Sequence, residues 1–261
     1  LDTADLSPAA RRVWLALRDE LAGTAAAEQD DRRLKRVLAG RRTASEEFFD
    51  SAAGEWDRLR EELFGRTSHL RLLAALLDPH WVVGDLGCGT GHITEALAPF
   101  VARVVAVDAS REMLAAARRR LHGRGLDNVD LRRGTLERLP VEDGALDAAV
   151  LALVLHHVPD PARVCAEAAR ALKPGGRLVV ADMLPHEHDE YRQTMGHVWM
   201  GFAVRQVERM LAASGFEAAR VVGLEPEPGV RGPALFVATA TRAEHLLPRV
   251  EGGPAELVDS L

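Results

Sequence analysis

Three glycines at alternate positions, Gly87, Gly89 and Gly91, stand between the apolar run Trp81-Val82-Val83-Gly84-Asp85 and a helical pattern that extends to about Ala98. A buried strand that leaves through a glycine turn into a helix is the opening unit of a parallel sheet, since parallel neighbours need a crossover connection. The alternation continues along the chain. Strands are expected at Arg103–Asp108, Val129–Arg132, Ala148–Val154, Arg177–Ala181, Ala219–Gly223 and Ala234–Ala240. Helices are expected at Ser110–His122, Pro161–Leu172 and Val204–Ser214. This order predicts an α/β fold, a seven-stranded, mostly parallel sheet with helices on both faces.

Residues 1–66 have a different texture. They are rich in Ala, Leu, Arg and Glu, which favours helices. Ser7-Pro8 starts the first helix, and Leu6, Ala10, Val13, Trp14, Leu17 and Leu21 form a stripe at helical spacing that must be buried against something. A second helix is expected near Asp30–Arg42. A third, near Ser45–Leu63, carries Phe48, Phe49, Trp56, Leu59 and Leu63. Three segments follow: a helical linker, dimerisation and lid segment at 1–66, a domain at 67–242, and a peripheral tail at 243–261.

Composition narrows the classes. No apolar run approaches the roughly 20 residues that a membrane span needs. Two cysteines, Cys88 and Cys165, are too few for a disulfide framework, which fits a reducing cytosol. A net charge of −6 gives no general electrostatic reason to seek nucleic acid.

The glycine loop excludes two ligand motifs by its spacing. A dinucleotide fingerprint requires a glycine at the sixth position from Gly87, where this chain has His92. No Gly-Lys-Ser/Thr follows, so the loop is not a P-loop. It reads Asp85-Leu86-Gly87-Cys88-Gly89-Thr90-Gly91, an acid and three alternating glycines at the carboxyl end of the first strand.

Over about residues 81–240 the chain resembles the class I S-adenosylmethionine-dependent methyltransferases, whose fold is Rossmann-like. The resemblance implies that Asp85, Gly87, Cys88, Gly89 and Gly91 hold the methionine part of the cofactor. It implies that Asp108, 17 residues after Gly91, accepts the ribose hydroxyls, with Ala109 beside it. Leu139-Pro140 with Asp143-Gly144-Ala145-Leu146-Asp147, and Leu172-Lys173-Pro174-Gly175-Gly176-Arg177-Leu178, match the approaches to the fourth and fifth strands. Relatives often carry Gly-Asp after the third strand, but this chain has Gly134-Thr135. Adenine recognition is therefore expected from Thr135, from the backbone at Leu136 and from apolar contact with Met113. Leu153, closing the fourth strand, is a further cofactor contact. Phe49 and Trp56 are candidates for a lid.

A narrower resemblance lies in Phe48-Phe49-Asp50…Trp56-Asp57-Arg58 and in Met183-Leu184-Pro185-His186…Gly196-His197-Val198-Trp199. These stretches are similar to bacterial methyltransferases fused behind an ArsR-type winged-helix regulator. That implies a DNA-reading domain ahead of Leu1 and a homodimer through the N-terminal helices. Residues 1–66 hold 12 basic and 14 acidic side chains, so this piece is not expected to bind DNA itself.

Methyl transfer from a sulfonium is an in-line displacement, and oxygen or nitrogen nucleophiles must also lose a proton. Histidine is the natural base near neutral pH. His156 and His157 follow the fourth strand, while His186 and His197 follow the fifth. These four are the candidate catalytic residues. His186-Glu187-His188-Asp189 has metal-ligand types, but no third and fourth ligand is defined, so no metal is assigned. Absences narrow the acceptor. There is no Asn/Asp-Pro-Pro-aromatic after the fourth strand, no Pro-Cys nucleophile, and no set of pocket thiolates for arsenite. The expected function is methyl transfer to a small molecule by a cytoplasmic protein. The alternative is a module that senses the cofactor for a transcriptional regulator without turnover.

Overall fold

The computed structural model describes residues 6–52, 54–65, 68–226 and 229–244. The chain divides into two units, Leu1–His69 and Leu70–Leu261. The tail from 245 onward and the side chain of Phe49 lie outside the described residues.

The first unit is helical, with α1 at Pro8–Leu21, α2 at Ala25–Ala52 and α3 at Trp56–Phe64. Ser7 caps α1 by accepting from the Ala10 amide at 3.3 Å. The break expected between Arg42 and Ser45 does not occur. No glycine or proline stands there, and the Thr43 hydroxyl donates back to the Ala39 carbonyl at 3.1 Å, so α2 runs through. The stripe on α1 is not buried within the chain either: Val13, Leu17 and Leu21 are 53–60% exposed. Spacing identified the apolar face but not its cover.

α4, at Ser68–Ala74, leads into the second unit, a Rossmann-like sheet in the order β3-β2-β1-β4-β5-β7-β6. Its strands are β1 (Val82–Leu86), β2 (Arg103–Asp108), β3 (Val129–Arg133), β4 (Leu146–Ala152), β5 (Leu172–Met183), β6 (Phe216–Leu224) and β7 (Leu235–Arg242). Pairing is parallel from β3 through β5, and β7 inserts antiparallel between β5 and β6.

Both faces of the sheet are covered, as alternating strand residues show. Val105 and Val107 of β2 join one core with Val164 and Ala168 of α7 (Pro161–Ala171) and Val207 and Leu211 of α8 (Val204–Ala213). Val104 and Ala106 join a second core with Leu97 of α5 (His92–Leu97) and Leu114 of α6 (Arg111–His122).

Several boundaries shift from expectation by one to five residues, and two of the shifts have a local reason. β4 ends at Ala152 rather than Val154 because Leu153 adopts φ +55 and turns the chain out of the sheet. Extended backbone in β5 begins at Leu172, paired with Leu146, whereas Arg177 pairs with Ala148, so Lys173-Pro174-Gly175-Gly176 bulges between them. No helix among the described residues is long and apolar enough to cross a membrane.

Candidate active site

Strand order reverses between β1 and β4, and ligands of open parallel sheets sit outside the carboxyl ends of strands at such a switch. The glycine loop lies there. Gly87, Gly89 and Gly91 have φ of +84, +52 and +80, all in the left-handed region. Each also answers a different steric demand. A Cβ at Gly87 would overlap the Val154 side chain, one at Gly91 would press on Ala117 of α6 at 3.1 Å, and one at Gly89 would meet nothing within 4 Å. Gly89 is where the backbone stands open to a ligand.

Asp108 ties the loop to β2. Its Oδ2 accepts from the Gly89 amide and its Oδ1 from the Ser110 amide, both at 2.8 Å. Each oxygen retains a lone pair that can accept from a diol. Asp85 is buried and accepts from the Thr94 hydroxyl, and burial pushes its carboxyl up to about 6. A cationic amine beside it would reverse that shift. The open Gly89 backbone, a partly free carboxylate at Asp108 and a buried carboxyl at Asp85 fit an amino-acid-bearing nucleoside. Cys88 contributes no thiolate, because burial pushes its thiol up to about 12, and the same holds for Cys165.

The residues expected around adenine share the same sheet edge. Asp108 pairs with Arg133, and the Gly134 amide donates to the Asp108 carbonyl at 3.1 Å, which brings Thr135 next in line. Thr135 is exposed, Leu136 is half-buried against the core, and Ala109 is exposed. Met113 is 45% exposed in the first turn of α6, where its amide donates to the Ser110 hydroxyl at 3.2 Å.

Beyond β4 the chain makes a 3-10 turn at Leu155–His157, and this turn is held from beneath. Asp182 of β5 is fully buried. Its Oδ2 accepts from the Leu155 amide at 2.9 Å, and its Oδ1 lies 2.7 Å from His156 Nδ1. The Val198 and Trp199 amides donate to the His156 carbonyl at 2.9 and 3.1 Å, which brings His197 alongside. The His156 ring lies 4.1 Å from that of His157 and 4.3 Å from that of His197, centroid to centroid.

These three histidines line a cavity of about 550 Å³. Its other walls are mostly apolar, with Leu153, Met183, Tyr191, Met195, Leu224 and Leu235 among them. Leu153 faces this cavity while the adjacent Val154 packs at Gly87, so one dipeptide joins the cavity to the glycine loop. His186 is not in the lining. It sits beside Tyr191 and His188, with centroids at 5.6 and 5.5 Å, and its buried Nε2 has no partner. Burial and neighbouring histidines hold His157, His186 and His197 below the ordinary histidine value.

Residues 84–180 match the profile of the methyltransferase domain family. This stretch is similar to methyltransferase domains. An uncharacterized 37.1 kDa protein of transposon Tn4556 from Streptomyces fradiae is 38% identical over 153 residues, 53% of this chain and 44% of that protein. The ubiquinone biosynthesis O-methyltransferase of Xanthomonas oryzae pv. oryzae is 40% identical over 101 residues, 38% of this chain and 41% of that one. The chain therefore spans less than half the length of these two relatives. An S-adenosylmethionine-dependent methyltransferase structure from Mesorhizobium loti superposes with a TM-score of 0.56 at 24% identity, over 68% of this chain and 99% of that chain.

Within the second unit the glycine loop, Asp108 and the ends of β3 and β4 gather on one edge of the sheet. Of the four histidines, the structure groups His156, His157 and His197 on the cavity and sets His186 apart from it. Sequence reasoning missed Asp182. A signal existed, since Asp182 is the acid at the end of the fifth strand, as Asp85 and Asp108 end the first and second. It also missed Leu224 and Leu235, where β6 and β7 close the cavity wall.

Proposed function

We propose that this chain transfers the methyl group of S-adenosylmethionine to a small, neutral acceptor, with His156 receiving the acceptor's proton. The observation that carries this reading is the buried Asp182–His156 pair at the edge of the cavity, 2.7 Å apart. Asp182 accepts the Nδ1 proton, which fixes the tautomer and leaves Nε2 with the free lone pair. S-adenosylmethionine, when bound, supplies an electrophilic methyl on a sulfonium.

The chain's own residues do the rest. Asp85 and the glycine loop hold the amino-acid end, Asp108 accepts from the ribose hydroxyls, and Thr135, Leu136, Met113 and Ala109 flank the base. Leu153, Met183 and Tyr191 exclude water from the acceptor and orient it against His156. The described cavity lining holds no lysine or arginine, which disfavours an anionic acceptor. O-methyl transfer, the reaction for which the Xanthomonas relative is named, is one a histidine base serves. His186 acts at most through Tyr191 and His188. The exposed Val13–Leu17–Leu21 stripe supports homodimerisation of a cytoplasmic protein through its N-terminal helices, measurable by sedimentation.

The test is a panel of neutral phenols, amines and thiols incubated with methyl-labelled S-adenosylmethionine and wild type or His156→Gln. Labelled product from wild type alone supports the reading. Tight cofactor binding without product from any acceptor points to the sensing module instead.

A further inference from the structure

His156, His157 and His197 each bring one ring nitrogen to within 4.8 Å of the others, and among the described residues no other set of metal-ligand side chains converges in this way. Backbone hydrogen bonds enforce the grouping, since the Val198 and Trp199 amides both hold the His156 carbonyl. Three imidazolium ions so close would repel one another. The neutral imidazole is the ligating form.

Two further observations point to a ligand. His197 is 6% exposed, and its Nδ1 is buried without a hydrogen-bond partner. A buried imidazole nitrogen carries a desolvation cost until something meets it. Asp182 holds His156 from behind through Nδ1, the carboxylate–histidine arrangement that orients metal-ligating imidazoles.

We propose that His156, His157 and His197 bind one divalent transition-metal ion of the zinc class, with Asp182 as a positioning residue for His156. Three imidazoles and no carboxylate select zinc, cobalt, nickel or copper over magnesium or calcium. Three protein ligands also leave a fourth tetrahedral position, and the ligands all border the cavity. His157 is exposed, so its ring can turn to close the nitrogen separations toward the roughly 3.3 Å of a tetrahedral site. An ion there occupies His156 Nε2, so ion and acceptor proton compete for one lone pair. That competition rests on the methyl-transfer reading, whereas the site itself does not.

The experiment is titration of the untagged, chelator-stripped full chain with Co²⁺, read by visible ligand-field bands, and with Zn²⁺, read by calorimetry. One equivalent with tetrahedral Co²⁺ bands is expected. His157→Ala and His197→Ala should each weaken binding by at least about 10-fold, and Asp182→Asn by about 10–100-fold. Absence of Co²⁺ bands in wild type, or unchanged affinity in His157→Ala, overturns the site. The exposed position of His157 keeps that variant informative even where His197→Ala fails to fold. Metal binding by a protein that ignores S-adenosylmethionine removes only the methyl-transfer reading, and the reverse result removes only the metal site.

Discussion

Asp182 holds both the ring and the backbone of the His156 turn: its Oδ1 lies 2.7 Å from His156 Nδ1, and its Oδ2 accepts from the Leu155 amide at 2.9 Å. Both carboxylate oxygens are therefore committed as acceptors. Asp182→Asn replaces one of them with a donor, which must then face either the Leu155 amide or the His156 Nδ1 proton. The expected result is a stability loss of about 1–3 kcal/mol and a fall in kcat of about 10²–10⁴-fold. Cofactor affinity should change little. Urea denaturation, steady-state kinetics and calorimetry read the three effects separately.

Asp108 anchors the loop through Gly89 and Ser110 while facing the expected ribose. Asp108→Ala is expected to weaken S-adenosylmethionine binding by about 1–3 kcal/mol, and Asp108→Asn by less, because the amide oxygen can still accept one bond. Calorimetric titration of both variants measures this. Equal affinity in wild type and Asp108→Ala would remove Asp108 from the cofactor site.

Asp85 makes stability depend on pH. Its carboxyl is raised from an ordinary 3.8 to about 6 in the folded protein, chiefly by burial. A raised carboxyl contributes stability that is fully present below 3.8 and lost as pH climbs through about 6. Asp85→Asn abolishes that loss, so between pH 4 and pH 7.5 the variant should gain about 2–3 kcal/mol relative to wild type. Denaturation curves at the two pH values test the difference. An amine-bearing ligand beside Asp85 should also release protons on binding at pH 6, detectable by calorimetry in two buffers of different ionisation heat.

Gly87 has φ +84 and lies against Val154. Gly87→Ala introduces both backbone strain and overlap, a destabilisation of about 2–4 kcal/mol with loss of cofactor binding. Gly87→Ala combined with Val154→Ala should recover the overlap component and leave the strain. Thermal denaturation of the single and double variants separates the two.

The sheet was legible because its signals are local. A buried parallel strand is a short apolar run, and Asp85, Asp108 and the glycines occupy the residues where such strands stop. Strand ends were read less well where one residue's conformation decides them, as at Leu153, whose positive φ no hydrophobic pattern announces. The histidines were legible as residue types following β4 and β5. Their sorting was not, since His186 stands 3 residues beyond the end of β5 and His197 stands 14, yet only the more distant His197 reaches the cavity.

Sequence alone determined the alternating order of strands and helices, the acid-and-glycine loop after β1, and the apolar face of the N-terminal helix. Each follows from periodicity or local backbone chemistry within a few residues. Tertiary structure decided what depends on contacts distant along the chain. Asp182 reaches His156 across 26 residues because β4 and β5 pair in register, Ala152 against Ala181. The antiparallel β6–β7 hairpin end closes a cavity whose walls come from four separate stretches of chain. A side chain buried by distant partners leaves no periodic trace, so only the folded arrangement shows which carboxylate holds which histidine.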